Sequence, residues 1–145
     1  IPLGLGAGWL GSLAGWWGGT SAGASTGGTV ARLTSSSLGK LGVDRVFRFL
    51  SDPTAQREVS VYVNEGGKRA NLFARFDILT STAIHEVKNV TNLSLSQEFM
   101  NQTYKYKLIA DSAGLELHYW LINDAPQHVQ VWLRRLGIIV HTSAP

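Results

Sequence analysis

Two short apolar segments in the middle of the chain, within and just before FDILTSTAIHEVKNV, most limit how it can fold. The alternation of apolar and polar residues predicts strands over Asn71–Leu79 and Thr82–Asn89, joined by a short turn. Because alternate side chains of a strand share a face, Glu86 and Lys88 point the same way. Asp77, on the preceding strand, reaches the same point. The stretch therefore predicts two carboxylates and one ammonium group gathered near a strand end.

Two converging carboxylates provide the oxygen ligands that a hard cation such as Mg²⁺ prefers. In this interpretation, Lys88 contacts whatever the cation holds. The alternative is a solvated hairpin at a sheet edge, in which Glu86 and Lys88 form an ordinary ion pair. The spacing of Asp77 and Glu86 is compatible with both interpretations.

Apolar periodicity on either side of this stretch predicts a complete α/β domain. The predicted elements are a helix over 32–50, strands over 57–64, 71–79 and 82–89, a helix over 94–113, a strand over 115–122, a helix over 127–136 and a strand over 138–141. Gly114 and Gly137 follow the second and third helices, where glycine commonly ends a helix. The first helix is thus followed by an antiparallel meander of three strands, and the order of elements matches a restriction-endonuclease-like core, which implies a mixed central sheet with helices on both sides.

The pattern of Asp77 followed by Glu86-Val87-Lys88 resembles the D…ExK core of the PD-(D/E)xK nuclease superfamily. The longer run FDIL…HEVKNVTNLSLSQEF is similar to the endonuclease-like toxin domains at the C-termini of bacterial polymorphic toxins. Phe76 stands where the superfamily name has a proline. The resemblance covers roughly residues 42–141 and implies a restriction-endonuclease-like α/β fold.

This resemblance implies a Mg²⁺-dependent or Mn²⁺-dependent site with Asp77, Glu86 and Lys88 as catalytic residues. The metal ion would be held by the two carboxylates and the carbonyl of Val87, and Lys88 would contact the attacking water or the scissile phosphate. Asp44, near the start of the first core helix, adds a third carboxylate in this scheme. The helix dipole, which favours an acidic residue there, explains Asp44 equally well.

The second long helix carries further candidate residues. Gln102 and Tyr106 form Q-x-x-x-Y, which resembles a motif of some nucleases of the superfamily and implies that Gln102 borders the active site as a catalytic residue. The alternative is a glutamine that bonds to solvent. Lys105 and Lys107 are either phosphate contacts or simple solvated lysines.

Other chemistries lack their sequence signatures. The four histidines show no zinc-binding spacing, and the absence of cysteine excludes disulfides and thiolate zinc sites. No serine lies in a nucleophile elbow, and the glycine pairs do not form a phosphate loop. On the predicted strand, His85 faces away from Glu86, so no catalytic role is assigned to it.

The first part of the chain differs sharply from the rest in composition. Residues 1–31 carry no charge, and 12 of the 16 glycines lie at or before Gly42. We therefore predict a Gly/Ser/Trp-rich segment over 1–42 and a nuclease-like toxin domain over 43–145. Three interpretations of the segment remain open: a flexible connector, a membrane-active or translocation segment, and a segment packed against an upstream partner. Membrane contact is expected only through residues 1–31.

The first residues of the chain and the resemblance together predict a biological setting. Pro2-Leu3-Gly4-Leu5 resembles the end of an Rhs-repeat shell, and the chain does not begin with methionine, so we expect a larger delivery protein upstream of Ile1. The resemblance implies a toxin tip of Rhs or contact-dependent inhibition type, secreted from a bacterium and delivered into a target cell's cytoplasm, with a cognate immunity protein as partner. The expected substrate is DNA. The alternatives are an RNase of the same fold and a non-enzymatic membrane-active module.

Overall fold

A computed structural model describes residues 34–65, 68–143 and 145. Three helices and five strands make up this part of the chain. In chain order they are α1 (Ser35–Leu50), β1 (Gln56–Glu65), β2 (Lys68–Leu79), β3 (Ala83–Asn89), α2 (Gln97–Ala113), β4 (Glu116–Ile122), α3 (Gln127–Arg135) and β5 (Ile139–His141). The predicted order of elements is confirmed.

The five strands form one mixed sheet in the order β1-β2-β3-β4-β5. The first three strands are antiparallel neighbours, and β3, β4 and β5 run parallel. A tight turn joins β2 to β3, where Thr80 Oγ1 accepts a hydrogen bond from the Ala83 N–H at 3.0 Å. Parallel strands need a crossover, and α2 and α3 supply the two that the sheet requires. The coarse prediction of an α/β fold with a mixed central sheet flanked by helices is confirmed.

The helices cover the two faces of the sheet with separate apolar clusters. On one face, α1 packs Val43 and Val46 against residues of three strands, including Val87 and Trp120. On the other face, α2 and α3 contribute to the larger cluster, which is built around fully buried residues such as Tyr119. Each strand of the centre is therefore covered on both sides, which fits its largely apolar sequence.

Helix α1 runs without a break through the domain boundary predicted at residues 42 and 43. Asn89 on β3 donates a hydrogen bond to the Leu38 carbonyl at 2.6 Å, and Gly42 is buried against the same strand. The packed part of the chain therefore begins at least as early as Leu38, because Leu38 lies in the same helix, α1, that covers the sheet. The Gly/Trp-rich stretch over 1–33 lies outside the described residues.

The helix ends follow the capping residues of the sequence. The Ser96 side chain accepts a hydrogen bond from the Phe99 N–H and begins α2 there, three residues later than predicted. Gly114 and Gly137 have φ of 68° and 81°, a left-handed conformation that glycine adopts without strain. No helix within residues 34–65 and 68–143 is long and apolar enough to cross a membrane.

Candidate active site

The candidate site lies where β2 and β3 separate. The backbone pairing of these strands covers only Ile78 with His85 and Leu79 with Ile84. Beyond this point the Asp77 side chain replaces the missing strand contact, since its Oδ2 accepts a hydrogen bond from the Val87 N–H at 2.8 Å. A carboxylate is thus fixed in the gap between two strands.

A change of face in β2 places Asp77 at this gap. Phe76 and Leu79 belong to the larger core cluster, whereas Ile78 belongs to the smaller cluster on the other face. Strict alternation would put Phe76 and Ile78 on the same face, so the alternation is interrupted at Asp77. Glu58, opposite Asp77 in the register of β1 and β2, has φ of 52°, which is uncommon for a residue other than glycine. The two strands are irregular at the same level.

Glu86, Lys88 and Gln102 meet on the α2 side of β3. The Lys88 ammonium donates hydrogen bonds to Glu86 Oε1 and Gln102 Oε1, both at 2.9 Å. The ammonium also lies 5.7 Å from the centre of the Phe99 ring. The structure thus brings together the two ExK side chains, as strand alternation predicted, and adds Gln102 from the helix. Lys88 is held in one position by two acceptors and a ring.

Burial and mutual repulsion shape the charges of the two carboxyl groups. Burial, followed by the nearby Asp77 carboxylate, raises the pKa of Glu86 from 4.5 to about 8, although Lys88 acts in the opposite direction. Burial also raises the pKa of Asp77, and the hydrogen bond from the Val87 N–H and the charge of Lys88 oppose that rise. Both groups would ionise more readily beside an added cation.

The donor set fits a magnesium or manganese ion held mainly by two carboxylates. Glu86 Oε2 is buried and receives no hydrogen bond from an N–H or hydroxyl group among the described residues, and the group close enough to share a proton with the Glu86 carboxyl is Asp77. Oδ1 of Asp77 is not used by the bond to Val87. The Val87 carbonyl faces the same gap, because the N–H and C=O of one strand residue project toward the same neighbour. Mg²⁺ is commonly held by one or two carboxylates and several waters, so these oxygens suffice.

Asp44, predicted as a third metal ligand, has a different partner. It is the tenth residue of α1, well inside the helix, and its carboxylate forms an ion pair with Arg57. Within the part of the chain that the structure describes, no three His, Cys, Asp or Glu side chains are grouped to hold a metal ion. The carboxylate of Asp44 is thus paired with an arginine, and its role as a third metal ligand stays a prediction.

An open groove beside Asp77 was not predicted from the sequence. This α1 groove, of about 260 Å³, lies between the first half of α1 and strands β1 to β3, and Asp77 and Val87 are among its lining residues. Its charged lining includes Lys40, Arg57 and Arg75. These cations come from three separate elements, so no local pattern in the sequence links them.

The histidines lie away from the candidate site. His85 is on the opposite face from Glu86, where its Nδ1 accepts a hydrogen bond from the Trp120 indole at 3.1 Å. His118 and His141 are hydrogen-bonded to each other through ring nitrogens 2.9 Å apart, and the two rings are nearly parallel. The prediction that His85 faces away from Glu86 is confirmed.

Comparisons with known proteins give no further identification. The chain matches no protein-family model, no curated protein and no solved structure.

Proposed function

We propose that the chain is a metal-dependent endonuclease that hydrolyses phosphodiester bonds of DNA. The observation that carries this proposal is the buried pair of adjacent carboxyl groups, Glu86 and Asp77, in which Glu86 Oε2 receives no hydrogen bond from an N–H or hydroxyl group of the described residues and the Lys88 ammonium is bound to the other oxygen of Glu86. A buried carboxyl group of this kind destabilises the fold, because burial disfavours its charged form. Pairs of this kind are typical of functional sites.

The residues of the chain would divide the work as follows. Asp77, Glu86 and the Val87 carbonyl hold a Mg²⁺ or Mn²⁺ ion, which supplies charge neutralisation at phosphate and a more acidic water. Gln102 fixes Lys88 through a 2.9 Å hydrogen bond, so that the ammonium has a set direction. Lys88 donates a hydrogen bond to a phosphate oxygen of the substrate, which orients that phosphate and offsets its charge.

A restriction-endonuclease-like fold and a toxin role are part of the same proposal. The support is the order of elements and the position of the ExK strand beside a helix that carries Gln102. A toxin that cuts DNA requires protection of the cell that makes it, so we propose a cognate immunity protein as partner. Delivery by a larger bacterial protein, into the cytoplasm of a target cell, completes the proposed setting.

A cleavage assay with matched carboxyl variants tests the proposed chemistry. Purified protein is incubated with plasmid DNA or total RNA in Mg²⁺, Mn²⁺ or EDTA. We expect DNA nicking with either metal ion, none in EDTA, and a loss of about 100-fold or more in Glu86→Gln and Lys88→Gln. Glu116→Gln is the control, because this carboxylate is 62% exposed and lies on β4.

Two outcomes would count against the proposal. Cleavage that persists in EDTA would remove the metal ion from the mechanism. Wild-type cleavage by Glu86→Gln would remove the site itself. Degradation of RNA without DNA nicking would change the substrate to RNA and keep the site.

A further inference from the structure

The α1 groove carries cations on both of its walls. Lys40 projects from helix α1, whereas Arg57 and Arg75 come from β1 and β2. Asp77 and Val87, which carry proposed metal ligands, also line the groove. The groove therefore adjoins the candidate active site through these two residues, whereas Glu86, Lys88 and Gln102 meet on the α2 side of β3.

The two arginines have carboxylate partners that are open to solvent. Arg57 pairs with Asp44, and Arg75 lies 3.1 Å from a carboxylate oxygen of Glu58. The arginine side chains are 38% and 57% exposed, so an incoming anion can reach them. Exposed ion pairs of this kind contribute little to stability and exchange partners easily.

Lys40 differs from the arginines in having no ion pair within the described residues. Its side chain lies on the exposed surface of α1, four helical positions before Asp44. The wall that it forms also contains Gly39, where an added Cβ would meet nothing within 4 Å. The α1 wall of the groove therefore carries an ammonium group with no ion pair among the described residues, next to the open space at Gly39.

We infer that the α1 groove binds the phosphodiester backbone of one nucleic-acid strand and guides it to Asp77. This inference rests on the proposed nuclease function and adds the surface on which its substrate lies. Arginine pairs with phosphate as well as with carboxylate, in a two-pronged geometry. Phosphates therefore replace Glu58 and Asp44 as partners of the arginines, while Lys40 pairs with a phosphate from the opposite wall.

The inference distinguishes this groove from the other basic surface of the domain. Lys105 lies on α2, on the opposite side of the sheet from α1, and its ammonium is 5.8 Å from the centre of the Phe73 ring. Lys107 on the same helix is paired with Asp111 at 2.7 Å. A strand bound in the α1 groove does not contact either lysine, but Lys105 shares an open cavity with Gln102. The exposed Arg135 on α3 therefore provides the matched control for charge removal.

Salt-dependent binding in the absence of cleavage tests the charges. A fluorescein-labelled single-stranded DNA oligonucleotide is titrated with the full chain in EDTA, over roughly 50 to 200 mM salt. Each lost phosphate contact reduces the slope of log K against log salt by about 0.7 for a single strand. We expect this reduction for Lys40→Gln, Arg57→Gln and Arg75→Gln, and no change for Arg135→Gln. Thermal unfolding of each variant shows that it is folded, and Lys40 has no ion pair among the described residues whose loss could disturb the fold.

A steric variant tests the same groove without changing any charge. Gly39→Phe places a ring in the open space beside Lys40, and Gly39→Ala is its control. We expect binding to weaken about tenfold or more in Gly39→Phe and to stay at the wild-type level in Gly39→Ala. Equal binding by the two variants overturns the inference, and so does a slope that changes in Arg135→Gln and not in the variants of the groove cations.

The two proposals fail separately in these experiments. The expected binding pattern without cleavage of any nucleic acid in Mg²⁺ supports the groove and removes the nuclease activity. Cleavage of DNA in Mg²⁺ without the binding pattern supports the nuclease and overturns the groove.

Discussion

Replacing Gly42 with alanine is expected to destabilise the fold, although alanine is the better helix former. A Cβ at this position would lie 2.9 Å from Asn89 Cβ and 3.0 Å from Val87 Cγ1, closer than such atoms normally approach. Something must therefore move, and overpacking of this kind costs about 1–3 kcal/mol. The gain in helix propensity from glycine to alanine is about 1 kcal/mol.

Gly39→Ala is the control for the change in helix propensity. Gly39 lies about one helical turn before Gly42 in α1, and an added Cβ there meets nothing within 4 Å. Gly39→Ala should therefore stabilise the protein by up to about 1 kcal/mol. Because both variants gain the same propensity, the difference between them isolates the overpacking and should amount to about 1–3 kcal/mol.

Urea unfolding followed by circular dichroism measures this difference. The free energy of unfolding is taken from the midpoint and slope for the wild type and the two variants. Gly42→Ala should also weaken the proposed DNA cleavage, since the residues it displaces flank Lys88 on β3. A Gly42→Ala protein as stable as Gly39→Ala would refute the close packing of α1 on β3.

Three further predictions concern pH and chain length. The pKa of Glu86 is raised from 4.5 to about 8, so the metal-free protein should lose stability as pH rises between these values, by at most about 1.4 kcal/mol per pH unit. In thermal unfolding with EDTA, Glu86→Gln should show a smaller loss of stability over the same pH range. The pKa of His85 is lowered from 6.5 to about 4, mainly by burial, so the stability of the fold should decrease as pH falls through that range. His85→Gln should reduce this loss of stability at acid pH, whereas His128→Gln, at an exposed position, should not. Removal of residues 1–33 should leave a cooperative thermal transition, whereas removal of 1–42 should abolish it, because the longer deletion takes away the helix turns that pack on β3.

The elements of the fold were predictable where one local signal decided them. Alternation in the strands set the direction of Glu86 and Lys88, and their 2.9 Å hydrogen bond follows from it. Gly114 and Gly137 ended their helices because the left-handed conformation there suits glycine. These signals depend on neighbouring residues alone.

Other features depended on contacts between distant parts of the chain. The compositional change near Gly42 indicated a boundary, yet the buried glycine is needed for the close approach of α1 to β3. Asp44 has the residue type of a metal ligand, but Arg57 on a different element determines its partner. The irregular backbone at Glu58 and the change of face at Asp77 interrupt the alternation that strand prediction assumes.

Because the Val87 amide is hydrogen-bonded to Asp77, loss of Asp77 and loss of Glu86 should have opposite effects on the stability of the fold. Asp77→Ala removes the acceptor of a partly buried amide and should cost about 1–3 kcal/mol, in addition to the loss of a carboxylate with a proposed catalytic role. Glu86→Gln removes a buried acid that is unfavourable when ionised, so this loss of activity comes with a gain in stability. Inactive descendants of this chain should therefore accumulate substitutions at Glu86 first and retain Asp77 longest.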